Sequence, residues 1–130
     1  MKRRMAAGFV VTALLGFSAM AASNPPFVGK WAFEGSRACQ PGAGDTDLEL
    51  TVTAKTLDYY ASSCTILSAR PLSRSGDNAY RLKLRCVGEG VTKNSELILA
   101  VLDKTEHRAD LLVHIEPADW AVTSYQRCPD

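Results

Sequence analysis

The chain has 130 residues, 46% of them hydrophobic, and its 15 Lys and Arg nearly balance its 14 Asp and Glu. A chain of that length holds one domain with a single core. The charge balance argues against a nucleic-acid protein, which needs a basic excess to meet phosphates.

Residues 1–22 carry the three parts of a secretory signal. Lys2, Arg3 and Arg4 form a cationic start, residues 9–15 an apolar centre, and Ala19-Met20-Ala21 places small residues where signal peptidase cuts. Cleavage after Ala21 or Ala22 is expected. It would leave a periplasmic or secreted domain over residues 23–130, with no stable membrane span. The alternative is an uncleaved anchor, because the apolar run over residues 5–22 is near the minimum length for a bilayer. Without Lys2, Arg3 and Arg4 the balance becomes 12 basic against 14 acidic residues, a net of −2.

The exported part reads as strands throughout. A short leader, Ser23-Asn24-Pro25-Pro26, precedes a strand over residues 27–34. Residues 35–46 form a loop broken by Pro41, Gly42 and Gly44. Leu48, Leu50 and Val52 alternate with Glu49, Thr51 and Thr53, the period-two pattern of a half-buried strand. A short strand follows over residues 57–61. Residues 65–70 and 80–87 are the arms of a hairpin around the turn-forming run 73–78, and Pro71 ends the first arm because it has no N–H for the ladder. On the second arm Tyr80, Leu82, Leu84 and Cys86 point one way, and Arg81, Lys83 and Arg85 the other.

After a Gly88-Glu89-Gly90 turn, residues 96–102 are a nearly continuous apolar run, hence a strand buried over most of its length. Residues 104–108 turn the chain, and Leu111, Val113 and Ile115 alternate again. Pro117-Ala118-Asp119 leads to a last strand over residues 120–127, and Trp31 and Trp120 are assigned to the core. About eight short strands joined in sequence predict an all-β fold: a small up-and-down antiparallel barrel behind an N-terminal signal helix. A two-sheet sandwich is the rival architecture. The interior of an eight-stranded barrel is either just filled by side chains or holds one small ligand.

Four cysteines in an exported domain of this size predict two disulfides. Cys64 and Cys86 lie equally far from residue 75, inside the turn run, so a hairpin would set them face to face. Pairing Cys39 with Cys128 follows if the first and last strands are neighbours, as in a closed barrel. Three connectivities are open to four cysteines. There is no Cys-x-x-Cys, and His107 and His114 do not complete a metal-ligand set, so neither metal nor cofactor is expected.

Gly29-Lys30-Trp31 opens the first strand as Gly-x-Trp, and Arg127 ends the last. This pairing resembles the calycin superfamily, the lipocalins and their relatives, in which such a Trp closes the barrel floor and a late Arg packs over it. Among exported bacterial proteins the chain is similar to the small periplasmic metalloprotease inhibitors of the Inh type, where an early Gly-x-Trp strand lies near a cysteine, as Trp31 lies near Cys39. That resemblance implies Cys39–Cys64 and Cys86–Cys128 pairing and gives the inhibitory segment's place to residues 23–26. The family's second Trp, soon after its second cysteine, is missing here. The run Ser75-Gly76-Asp77-Asn78-Ala79-Tyr80 also resembles the Ser-Gly-x-x-Tyr loop of the periplasmic inhibitors of c-type lysozyme, with one residue more between Gly and Tyr.

No Gly-x-Ser-x-Gly, His-Glu-x-x-His, P-loop or Gly-x-Gly-x-x-Gly occurs, so a non-catalytic protein is expected. The first functional expectation is an exported, monomeric inhibitor of a secreted protease or lysozyme. It would present Ser75, Gly76, Tyr80 and the basic stripe Arg81, Lys83 and Arg85, with the loop over residues 35–46 as a second contact. A rigid stapled scaffold lowers the ordering cost of such binding. The alternatives are a carrier holding a small apolar ligand in the barrel mouth, or an envelope structural protein with no ligand.

Overall fold

The computed structural model describes residues 23–74, 78–103 and 110–129. The signal segment and its expected helix, Ser75 and Gly76 of the hairpin tip, and His107 lie outside the described residues. Eight strands follow in order: β1 (Gly29–Phe33), β2 (Glu49–Val52), β3 (Thr56–Tyr59), β4 (Ser62–Pro71), β5 (Ala79–Gly88), β6 (Val91–Leu102), β7 (Leu111–Glu116) and β8 (Ala121–Arg127). Each pairs antiparallel with the next, and β8 pairs with β1, so the sheet closes into an up-and-down barrel. Trp31 of β1 stands opposite Leu50 of β2 on one side and Arg127 of β8 on the other. Closure of this kind leaves no edge strand to protect and excludes the sandwich.

Alternation fills the lower interior. Trp31, Leu50, Val52, Leu57, Leu82, Leu97, Leu99 and Leu112 are fully buried, and each such aliphatic side chain contributes roughly 1.5–3 kcal/mol relative to exposure. Cys64 and Cys86 are register partners and are disulfide-bonded, as are Cys39 and Cys128. The alternative pairing of Cys39 with Cys64 does not form. A bulge between Ile66 and Ser68 shifts the register by one residue toward the turn, so that Pro71, the last residue of β4, faces Tyr80. The extra residue, Leu67, is left exposed.

Four details depart from the sequence reading. β6 begins at Val91, five residues before the apolar run. β7 turns the opposite face inward: Leu112 and His114 are buried, whereas Leu111, Val113 and Ile115 are only half-buried. A shift of one residue exchanges the two faces of a strand, and β7 has apolar residues on both. Trp120 is no core residue; it is 69% exposed in the β7–β8 turn at φ 59°. The loop after β1, expected only as an irregular contact loop, is tied to the barrel wall over residues 36–39. There Ala32, Ala38 and Cys128 make a small second core outside the barrel, Cys39 is bonded to Cys128, and Gln126 Nε2 donates to the Ser36 carbonyl at 3.2 Å.

Candidate functional site

The two ends of the barrel are built differently. At the end where β1 begins and β8 finishes, the segment before β1 crosses the opening. Phe27 is buried there with its ring edge-on to Tyr80, centroids 5.0 Å apart, and Trp31 Nε1 donates to the Phe27 carbonyl at 3.0 Å. Arg127 completes this floor. Its guanidinium carbon lies 4.1 Å from the Trp31 ring centroid. Its Nη2 donates to the Pro26 carbonyl at 2.8 Å, Nη1 to the Val28 carbonyl at 3.2 Å, and Nε to Asp110 Oδ2 at 3.0 Å. Gly29 is required here: at φ 152° a Cβ would stand 2.6 Å from Arg127 Nη1. The leader residue Pro26, in the segment where the inhibitor resemblance places an active arm, is thus bonded into the floor.

The opposite end carries the β3–β4, β5–β6 and β7–β8 turns and is open. A pocket of about 1300 Å³ begins there, bordered by Tyr59, the Cys64–Cys86 disulfide, His114, Glu116 and Tyr125, and it runs on past Lys83 and Glu96 of the outer wall. Of the two interiors left open by the sequence, side chains fill the lower half, and the upper half opens into this pocket. Tyr59 on β3 and His114 on β7 reach toward each other across the barrel, Tyr59 Oη lying 2.7 Å from His114 Nε2. Edge-to-face contacts continue the series: the rings of His114 and Tyr125 are 6.2 Å apart, and those of Tyr125 and Phe33 also 6.2 Å. Offset and edge-on ring pairs of this kind add specificity to burial.

The imidazole of His114 is 6% exposed, and its Nδ1 has no hydrogen-bond partner among the described residues. Burial pushes its pKa below the usual 6.5, against smaller upward contributions from the Glu116 carboxylate and the local backbone. It is therefore neutral at pH 7. Burial likewise raises the Tyr59 phenol, followed by the charges of Tyr125 and Glu116, and raises Tyr125, followed by Glu116. The mouth thus holds three neutral polar rings, His114 buried and Tyr59 and Tyr125 half-buried, with the Glu116 carboxylate acting on all three. The four cysteines of the chain are all bonded, leaving no thiol nucleophile.

Of the residues singled out in sequence, Cys64, Cys86 and Lys83 border this pocket, and the other described ones lie elsewhere. Arg81, Lys83 and Arg85 are exposed on the outer wall of β5, where Arg81 Nε lies 3.5 Å from Glu96 Oε2. Tyr80 points inward against Phe27 and is not offered to a partner. Ser75 and Gly76 lie outside the described residues, and the flanking ends of β4 and β5 are at the floor end. Of the adjacent pair Tyr59 and Tyr60, the first enters the mouth and the second is 73% exposed.

The site residues that sequence reasoning missed are His114, Glu116 and Tyr125. The available signal was the inward phase of β7 and β8, which follows once Trp31 and Arg127 are both turned to the floor. No family model matches the chain, and neither a curated protein nor a solved structure matches it.

Proposed function

We propose that this chain is an exported, non-catalytic binding protein that takes a small molecule into the open mouth of its barrel. The observation that carries the reading is the asymmetry of the two ends. One is sealed by Phe27, Trp31 and Arg127; the other opens at a pocket bordered by a buried histidine whose Nδ1 has no partner among the described residues. Concave sites with mostly apolar walls and a few convergent polar groups are the usual form of a small-molecule site. Two disulfides suit an oxidising space such as the periplasm or the exterior, and the signal-like residues 1–22 suggest the route there. The Gly29, Trp31 and Arg127 floor supports the calycin likeness.

The test is native mass spectrometry of the protein extracted gently from its own cells. A retained small molecule that is lost on unfolding is the expected result. Protein that emerges bare, and that takes up no probe under any condition, would end this reading.

A second reading, an inhibitor of a secreted hydrolase, rests on different residues from those the sequence suggested. Tyr60 and Trp120 on the turns around the mouth, and Val91 at the start of β6, are exposed, and exposed aromatics on a rigid scaffold are the usual anchors of a protein interface. It is checked by assaying inhibition of c-type lysozyme and of secreted zinc proteases, with Trp120→Ala expected to abolish any inhibition found.

A further inference from the structure

We infer that the ligand of the mouth is a small organic cation, a protonated or quaternary amine with an apolar tail, seated between Glu116 and the rings of Tyr59 and Tyr125. This inference rests on the small-molecule reading and specifies its chemistry.

Four observations support it. First, Glu116 is the last residue of β7 and shares the inward phase of Leu112 and His114. Its carboxylate acts on Tyr59, His114 and Tyr125 alike, yet it makes no ion pair among the described residues. Second, the rings it faces are neutral, so none of the three supplies a positive charge to offset it. Third, Tyr59 and Tyr125 line the cavity, and an ammonium over the face of such a ring is attracted by its quadrupole. Fourth, the ring of His114 borders the same cavity, a third neutral ring beside Tyr59 and Tyr125.

An anionic ligand would meet Glu116 directly. A neutral one would leave that carboxylate unpaired and lose part of its hydration, at a cost.

The other charges of the lining set where the cation sits. Glu96 belongs with Arg81 and its cross-strand neighbour Lys83 on the outer wall. Lys93 stands opposite Cys86 on the β5–β6 side, and Glu89 on the rim. The ammonium therefore seats on the β3, β7 and β8 side, away from Lys93, with its tail over the Cys64–Cys86 disulfide and Leu84.

The experiment uses three probes of equal chain length: octylammonium, 1-octanol and octanoate. Binding to the intact domain is measured by calorimetry, and contact with Tyr59 and Tyr125 by NMR. Octylammonium is expected to bind about tenfold more tightly than the alcohol, with octanoate weakest. Glu116→Gln should bring the ammonium down to the level of the alcohol and leave the alcohol unchanged, while Glu89→Gln keeps the preference. Glu116 is exposed, so the variant is expected to fold, and its melting curve verifies this.

Equal binding of ammonium and alcohol, or an unchanged ammonium affinity in a folded Glu116→Gln, overturns the cation. If alcohol or octanoate still binds against Tyr59 and Tyr125, the small-molecule reading survives that result. If no probe binds at all, both fall.

Discussion

The floor and the mouth of this barrel are made from the same strands and differ in what their inward side chains are asked to do. At the floor, an indole, a guanidinium, backbone carbonyls and one carboxylate satisfy each other, and Arg127 uses Nε, Nη1 and Nη2 on protein acceptors. At the mouth, Tyr59 and His114 satisfy each other only in part, and one imidazole nitrogen has no partner among the described residues. Native proteins pair nearly all buried polar groups, and the exceptions tend to mark function. The floor therefore reads as structure and the mouth as site. Substitutions at the two ends should accordingly separate stability from binding.

The largest effect is expected at the floor. Trp31→Ala removes a fully buried indole, its bond to the Phe27 carbonyl and the surface on which Arg127 rests. A loss of about 3–5 kcal/mol is expected from guanidinium chloride unfolding at unchanged slope. A loss below 1 kcal/mol would mean that the floor is not what holds the barrel shut. Next comes the staple of the mouth. Cys64→Ser with Cys86→Ser opens a link between residues 22 apart in sequence, and the chain-entropy account gives a loss of about 3 kcal/mol. Because that disulfide borders the cavity, the same variant should also lose ligand affinity, which Trp31→Ala should not if it remains folded.

Tyr59→Phe tests the crossing of the barrel more gently. It leaves His114 Nε2 without its partner, at a cost of about 1–2 kcal/mol. The pH dependence gives the same contact a sign. His114 has its folded pKa held below the 6.5 of the unfolded chain, so the unfolded state takes up a proton first on acidification. Its contribution is fully present above pH 6.5 and is lost as pH falls from there toward the folded value. Tyr59 and Tyr125 run the other way: their raised phenols contribute fully below pH 10 and lose that contribution as pH rises above it. Chemical denaturation between pH 8 and 5 should show stability falling with acid, and His114→Gln should flatten that slope.

The β4–β5 hairpin was legible in the sequence because period-two alternation, a turn-forming run and two symmetric cysteines all agreed there. The floor was legible through three residues, Gly29, Trp31 and Arg127. The first half of β6 was not, for a physical reason. It borders the open mouth, so Lys93 and Ser95 occupy inward positions where a packed barrel would carry apolar side chains, and the expected alternation is absent. The mouth cluster was hidden because it draws on β3, β7 and β8, and β3 and β7 are not neighbours in the sheet. The return of the 35–46 loop along the wall was also hidden, since Pro and Gly composition marks a loop without saying where it goes.

The smallest effect is expected on the outer wall, and it sharpens the comparison by using one residue type in two settings. Arg127 lies half-buried against Trp31, with every donor nitrogen on a protein acceptor, and Arg127→Ala strands two carbonyls and Asp110. Arg81 stands in solvent beside Glu96 on the exposed face of β5. An exposed ion pair gains little, because water screens it and two long side chains must be ordered to make it. Arg81→Ala should therefore stay within about 0.5 kcal/mol of the parent, while Arg127→Ala should cost several times more. Arg81→Glu extends the test to function. If the basic stripe of Arg81, Lys83 and Arg85 recognised a hydrolase, this reversal would abolish inhibition at unchanged stability. If recognition belongs to the mouth, both inhibition and ligand uptake should be indifferent to it.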